Sequence, residues 1–269
     1  MIPFDYHIHT SFSPDSSTDP EEFCSRAVEL GIPEIGFSEH WDVNPYEDKS
    51  VTHFLKPAAW WQEITRLRDL YAGQLVLRAG IEVGEPHLYG HETASMLSTL
   101  PFDYVLGSVH FVDEHMMFDE NYFRQHTADE VYLSYFAELE KMVRDSDLDI
   151  VAHFDIPVRT AGPILGYEIS RYEQPIRRVL MLVIERDLAL DVNVSGLRKP
   201  AGNLMPDPLI LRWYHDMGGK YLTLGSDAHR LDQLGLNLDQ AVQAIRLAGF
   251  THLTRYDQRQ RSQVPLILL

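Results

Sequence analysis

Short apolar runs alternate with longer amphipathic stretches along the chain, and this alternation restricts the possible folds more than any other feature. The runs are 4–10 (FDYHIHT), 34–40 (EIGFSEH), 75–84 (LVLRAGIEVG), 104–110 (YVLGSVH), 149–155 (DIVAHFD), 188–195 (LALDVNVS) and 221–229 (YLTLGSDAH). Each is short and rich in Val, Ile, Leu, Phe or Tyr, as expected of strands. Helical periodicity fills 20–30, 57–72, 91–99, 127–145, 172–187, 207–217 and 237–248. Asp19-Pro20-Glu21-Glu22 supplies an N-cap acid, a proline at the first helical position and acids in the first turn. Thr127 and Glu130 have capping-box spacing. Seven such βα repeats predict a parallel sheet with helices outside, and at 269 residues closure into a TIM-like barrel is more economical than an open sheet. No Pro/Gly/Ser-rich linker or low-complexity tract interrupts the pattern, so one domain over 1–269 is expected.

The ends of the apolar runs carry the chemistry. The first ends His7-Ile8-His9, the second at His40 and the fourth at His110; the third carries Glu82, the fifth His153, and the seventh runs into Asp227-Ala228-His229. In a βα barrel the C-terminal strand ends share one face, so residues scattered in sequence meet in one pocket. His7 and His9 are two apart on a strand and point to the same side, as do Asp227 and His229. Imidazole and carboxylate ligands without a thiolate set suit Zn, Fe or Mn, and more ligands are present than a single ion needs. Arg159 and Arg198 follow the fifth and sixth runs on the same face, where a guanidinium suits bidentate recognition of phosphate. Lys199, Ser195 and Asn193 stand beside Arg198. The stretch 41–56 reads as an active-site loop or lid, with Trp41, Tyr46 and His53 either touching a ligand or packing the loop. His87, His91 and His115 follow strand ends but read mainly as loop residues. His215 reads as a helix C-terminal imidazole.

Composition limits the partners. Forty acidic against 23 basic residues give a formal charge of −17, which repels nucleic acid and argues against avid DNA or RNA binding. The same charge repels a phosphate ester, so a phosphatase of this composition needs local positive charge from metal ions and arginines. The lone Cys24 cannot form an intrachain disulfide and reads as a packed small side chain in a helix. No signal-peptide pattern is seen at the N-terminus, and no apolar run approaches the ~18 residues of a membrane span. A cytoplasmic protein that does not enter the membrane is expected.

HIHTSFSPD (7–15), the His40 segment, GIEVG (80–84), GSVH (107–110), AHFD (152–155) and GSDAH (225–229) resemble the successive motifs of the PHP superfamily (polymerase and histidinol phosphatase), in that family's order and over almost the whole chain. The resemblance implies a distorted TIM-like (β/α)7 barrel of the α/β class. It also implies a centre of three divalent ions, Zn, Mn or Fe. His7, His9, Glu82 and Asp227 would hold one; Glu82, His110 and His153 the second; Asp15, His40 and His229 the third. Many members have His where this chain has Asp15. Glu82, Asp227 and His229 are then expected at the reacting centre, with Arg159 and Arg198 binding the phosphate of a small-molecule monoester. DVNVSGLRKP and PFDYVLGSVHFV are similar to the histidinol-phosphatase branch, which implies hydrolysis of L-histidinol phosphate in histidine biosynthesis. Asp155, beside His153, is a candidate proton donor or a residue that orients a ligand from behind. The competing readings are a PHP phosphoesterase for a nucleotide, sugar phosphate or phosphotyrosine, an amidohydrolase-type barrel, and a non-catalytic metal-binding module.

Overall fold

A computed structural model describes residues 2–43, 46, 52 and 54–266. Its centre is a six-stranded parallel sheet. In sheet order the strands are β1 (Glu34–Trp41), β2 (Val76–Gly84), β3 (Tyr104–Ser108), β6 (Ile150–Val151), β7 (Ala189–Asn193) and β8 (Leu222–Gly225). A small antiparallel ribbon, β4 (Phe111–Val112) with β5 (His115–Met116), follows β3. A C-terminal hairpin pairs β9 (His252–Asp257) with β10 (Gln260–Pro265). The helices are α1 (Pro20–Leu30), α2 (Pro57–Leu70), α3 (Gly90–Leu97), α4 (Glu120–Gln125), α5 (Ala128–Asp145), α6 (Val158–Leu165), α7 (Glu173–Glu185), α8 (Pro208–Asp216) and α9 (Leu238–Ala248).

The segment expected as the first strand does not form a regular strand. It bridges both edges of the sheet instead, pairing Asp5 with Ile35 on one side and Ile8 with Ala228 on the other. Gly36 N and Ser38 N donate to Asp5 O and Ile8 O, while Tyr6 N and His9 N donate to Leu224 O and Ala228 O. The sheet therefore curls back on itself, and this closing segment is its seventh stave, giving the distorted barrel expected from the sequence.

Inside, Tyr104 reaches across the barrel, stacks on Tyr6 at 4.9 Å between ring centroids and donates its hydroxyl to Tyr6 O at 2.7 Å. Gly36 and Gly80 make this possible, since a Cβ at either position would overlap the Tyr104 ring. Outside, helices bury one face each; α1 covers the sheet with Phe23, Cys24 and Ala27. Burying a side chain such as Phe23 contributes about 1.5–3 kcal/mol. The expected caps form: Asp19 accepts from Glu21 N, and Thr127 and Glu130 make a reciprocal capping box.

From β3 onward the strands of the barrel end earlier than their apolar runs. β6 keeps only two residues, and His153 follows in left-handed backbone at φ +23°. Asp227 follows β8 at φ +53°. Non-glycine residues in that region cost about 1–3 kcal/mol each and tend to mark functional sites. Helices α4 and α6, the ribbon and the C-terminal hairpin were not expected. No helix among the described residues is long and apolar enough to cross a membrane.

The hairpin seals the N-terminal end of the barrel. Arg255 pairs with Glu34 at 3.0 Å and Asp257 with Arg78 at 2.8 Å. Gln258 N donates to Asp103, and Arg259 pairs with Asp149 and Asp147. Arg261 reaches Asp187 at 3.0 Å.

Candidate metal centre

At the opposite end a cavity of ≈ 300 Å³ is lined by Pro14, Asp15, His40, Asp42, Glu82, His110, Met116, Phe118, His153, Ile156, Arg159, Asp227 and His229. Glu82, near the end of β2 and buried, is its hub. Its Oε1 lies 2.8 Å from His153 Nε2 and 3.5 Å from His110 Nε2. Its Oε2 lies 3.2 Å from His7 Nε2, 3.4 Å from His9 Nε2 and 3.3 Å from His40 Nδ1. Asp227 Oδ1 lies 3.5 Å from His9 Nε2 and 3.6 Å from His229 Nδ1. Asp15 Oδ2 stands 2.9 Å from His229 Nε2 and 3.5 Å from His40 Nε2. All nine residues expected as ligands thus converge on one place.

Among the described residues, four sets have ligand atoms close enough to share an ion: His7, His9 and Glu82; Glu82, His110 and His153; His9, His40 and His229; and His40, Asp42 and His110. The second is an expected grouping in full, the first is an expected grouping without Asp227, and the third has His9 where Asp15 was expected. Asp42 is a residue that sequence reasoning missed, because it lies in the loop past β1 rather than on a strand end. Its carboxylate is 3.6 Å from His40 and 3.7 Å from His110.

Divalent cations fit this arrangement. His9 Nε2, His40 Nδ1 and Asp42 Oδ1 are buried without a hydrogen-bond partner. A buried polar atom left unpaired costs about 1–3 kcal/mol, which a cation would recover. The protein's own electrostatics point the same way. Burial opposes charge on Glu82, but His7 and His40 outweigh it and hold its carboxyl well below the usual range. Asp227 is likewise held low against burial by His7, His229 and His9. Burial also opposes charge on His40, yet Glu82 and Asp15 raise its imidazole to about 9. His9 and His153 go the other way, driven down chiefly by burial, and offer neutral rings. In the metal-free protein, protons on some rings thus supply the positive charge that the carboxylates demand.

Of the two arginines, Arg159 lines the cavity, whereas Arg198 is absent from its wall and stands behind Asp227. Arg159, in the first turn of α6, lies 3.7 Å from Asp227 and 3.3 Å from the Ser195 hydroxyl, with its guanidinium 4.5 Å from the Phe118 ring centroid. Arg198, at the end of the short 3-10 turn Ser195–Arg198, donates to the Asp227 carbonyl at 2.9 Å and keeps its Nη1 buried without a partner. Asp155 is not in the cavity wall; it is buried and its carboxylate accepts from Asp207 N at 3.1 Å, so the proton-donor reading is not supported. His87 bonds Glu138 at 2.6 Å and, like His91 and His115, is absent from the wall. Trp41 closes β1 and Tyr46 is exposed, while His53 lies outside the described residues. The described wall contains no lysine, which separates it from amidohydrolase-type centres that bridge ions with one.

A curled parallel barrel carrying an imidazole and carboxylate cluster at its C-terminal face is the PHP arrangement, and residues 5–195 match the PHP domain family: the chain belongs to it. Among its relatives, the probable histidinol-phosphatase of Clostridium acetobutylicum is 30% identical over 247 residues, covering 89% of this chain and 91% of that one. The histidinol-phosphatase of Lactococcus lactis is 27% identical, with 95% of each chain covered. The crystal structure of the Lactococcus lactis histidinol phosphate phosphatase, complexed with zinc, L-histidinol and phosphate, superposes with a TM-score of 0.88 at 24% identity, over 97% of this chain and 98% of that one. That likeness shows the fold.

Proposed function

We propose that this chain, acting as a single PHP unit, is a metal-dependent phosphomonoesterase that hydrolyses L-histidinol phosphate to L-histidinol and phosphate. The observation that carries the reading is the convergence of His7, His9, Asp15, His40, Glu82, His110, His153, Asp227 and His229 on one cluster at a cavity that Arg159 also lines, with Arg198 bonded to the backbone of Asp227 behind it. The histidinol-phosphatases to which the chain is similar over most of its length support the substrate. We assign three divalent ions to the centre, with zinc favoured by the ligand chemistry and by the zinc held in the Lactococcus lactis protein. His7, His9, Glu82 and Asp227 would hold one, Glu82, His110 and His153 another, and Asp15, His40 and His229 the third.

Such ions, when bound, polarise phosphoryl oxygens and activate water for attack. The chain supplies the rest. Arg159 and Arg198 orient the phosphate and neutralise its oxygens as charge shifts during displacement. Burial favours loss of the Arg159 charge, but Asp227 and Glu82 nearby oppose this. Met116, Phe118 and Ile156 give the cavity an apolar wall that excludes water and packs the leaving group.

Phosphate release from L-histidinol phosphate by zinc- or manganese-loaded protein, beside a panel of nucleotide and sugar phosphates and phosphotyrosine, tests the reading. Preference for histidinol phosphate by orders of magnitude is expected. Robust turnover of another monoester with histidinol phosphate ignored would sink the substrate assignment and leave the metal centre standing.

A further inference from the structure

We propose that Asp191, and Glu39 acting through Ser13, are positioning residues that fix the ring tautomers of His7 and His9 and so aim both Nε2 atoms into the metal centre. The inference rests on the metal-centre reading above and not on the choice of substrate. His7, His9, Ser13, Glu39 and Asp191 are all fully buried, so water does not compete for their hydrogen bonds.

The argument for His9 is one of counting hydrogens. Ser13 donates its single hydroxyl hydrogen to Glu39 Oε2 at 2.6 Å. Its oxygen can then only accept, and its other neighbours are His40 N at 3.1 Å and His9 Nδ1 at 3.3 Å. The hydrogen of His9 therefore belongs on Nδ1, which leaves the Nε2 lone pair facing Glu82 and Asp227. Glu39 is held in its accepting role by Thr10, whose N–H and hydroxyl donate to it at 3.0 and 2.7 Å.

His7 is fixed more directly. Asp191 Oδ2 lies 2.9 Å from His7 Nδ1, and a carboxylate can only accept. Asn193 and Thr223 donate to the same carboxylate at 3.3 and 3.4 Å. Gly225 leaves room for the pair: a Cβ there would lie 2.5 Å from Asp191 Oδ1 and 2.6 Å from His7 Cβ. Strand β7 brings no ligand of its own to the cavity, and Asp191 is its contribution. Carboxylates behind ligating imidazoles orient the ring and raise its basicity, and losing one typically costs about 10- to 100-fold in metal affinity.

The test uses the full chain loaded with zinc, labelled with nitrogen-15 in histidine. Two readouts are followed: the ring Nδ1–H signals of His7 and His9 by NMR, and zinc affinity by chelator competition. Wild type should show both protons on Nδ1, protected from exchange. Asp191→Ala should lose the His7 signal and weaken zinc by roughly 10- to 100-fold. Asp191→Asn, whose carbonyl still accepts, should keep the signal. Ser13→Ala should lose the His9 signal, and it carries the test alone should Asp191→Ala fail to fold. A purely structural role predicts lower melting temperatures with ring signals and zinc affinity unchanged, and that result overturns the proposal. So does a wild-type ring protonated on Nε2, or a wild-type chain that takes up no zinc. Zinc uptake with protected Nδ1–H signals but no turnover of L-histidinol phosphate sinks only the substrate reading.

Discussion

The two ends of the barrel are both lined with buried acids, and they balance them in opposite ways. At the N-terminal end the counter-charge is part of the chain. Glu34 accepts from Arg78 at 2.9 Å and pairs with Arg255, and Tyr6 donates its hydroxyl to it as well. Asp103 takes Arg68 at 2.6 Å together with the N–H groups of Ala79 and Gln258. At the C-terminal end Glu82, Asp227 and Asp42 face imidazoles, several of which keep a nitrogen with no partner. An arginine cannot be displaced by a metal ion, whereas a protonated imidazole gives up its proton and becomes a ligand. The first end is finished by folding alone. The second is completed by what it binds.

This contrast predicts different consequences for substitutions at the two ends. The largest effect should come from Glu82→Gln, which removes the shared carboxylate. Turnover should fall by more than the ~100-fold that loss of an outer partner costs, and bound metal measured by elemental analysis should drop with it. Arg159→Ala should keep the metal and lose roughly 10- to 100-fold in kcat/KM, as expected for a charged hydrogen-bonding group, with weaker inhibition by inorganic phosphate. Arg78→Ala, at the other end, should cost about 3 kcal/mol in urea unfolding by leaving a buried carboxylate short of its partner, while kcat, KM and metal content stay unchanged. If metal content falls with Arg78→Ala, the two ends are not independent.

The smallest effect is one of pH on the metal-free protein. The His40 imidazole stands at about 9 in the fold against the ordinary 6.5. A raised value means that its stabilisation is complete below pH 6.5 and is lost as pH rises through 9. The melting temperature of chelator-treated protein should therefore decline between pH 6.5 and 9, and metal-loaded protein should be spared. Equal declines in both would show that protons do not stand in for cations here.

The two ends also differ in how far they could be read from the sequence. Eight of the nine ligands were legible because each sits at or close to the end of an apolar run, and the barrel brings those ends together whatever the details of each strand; Asp15, beyond the first run, came only from the family resemblance. That the closing segment is irregular and β6 only two residues long did not disturb this, since His7, His9 and His153 need only the right end of the right stave. The sealing hairpin was not legible. Its second strand, QRSQVP, is polar and largely exposed, so no alternating pattern marks it. Helix α6 is short and holds Pro163, which reads as a breaker. Asp191 did leave a signal that went unused: an acid in the middle of LALDVNV must be buried with the strand and so must have a partner. The sequence does not say which partner, because His7 lies far away along the chain.

That distance has a consequence for how the protein is made. His7-Ile8-His9 leaves the ribosome well ahead of residues 224–228, with which one flank of its segment pairs. Synthesis at about 5–20 residues per second separates the two by some tens of seconds at the slow limit. Throughout that interval the His-Ile-His pair lacks Asp227 and the β8 edge that it bridges to close the barrel, and for most of it Asp191 as well. A nascent chain can therefore offer only a weak and incomplete grip to a passing ion, and loading is deferred until β8 and the residues that follow it have emerged. The order of staves around the barrel acts as a timer on metal capture.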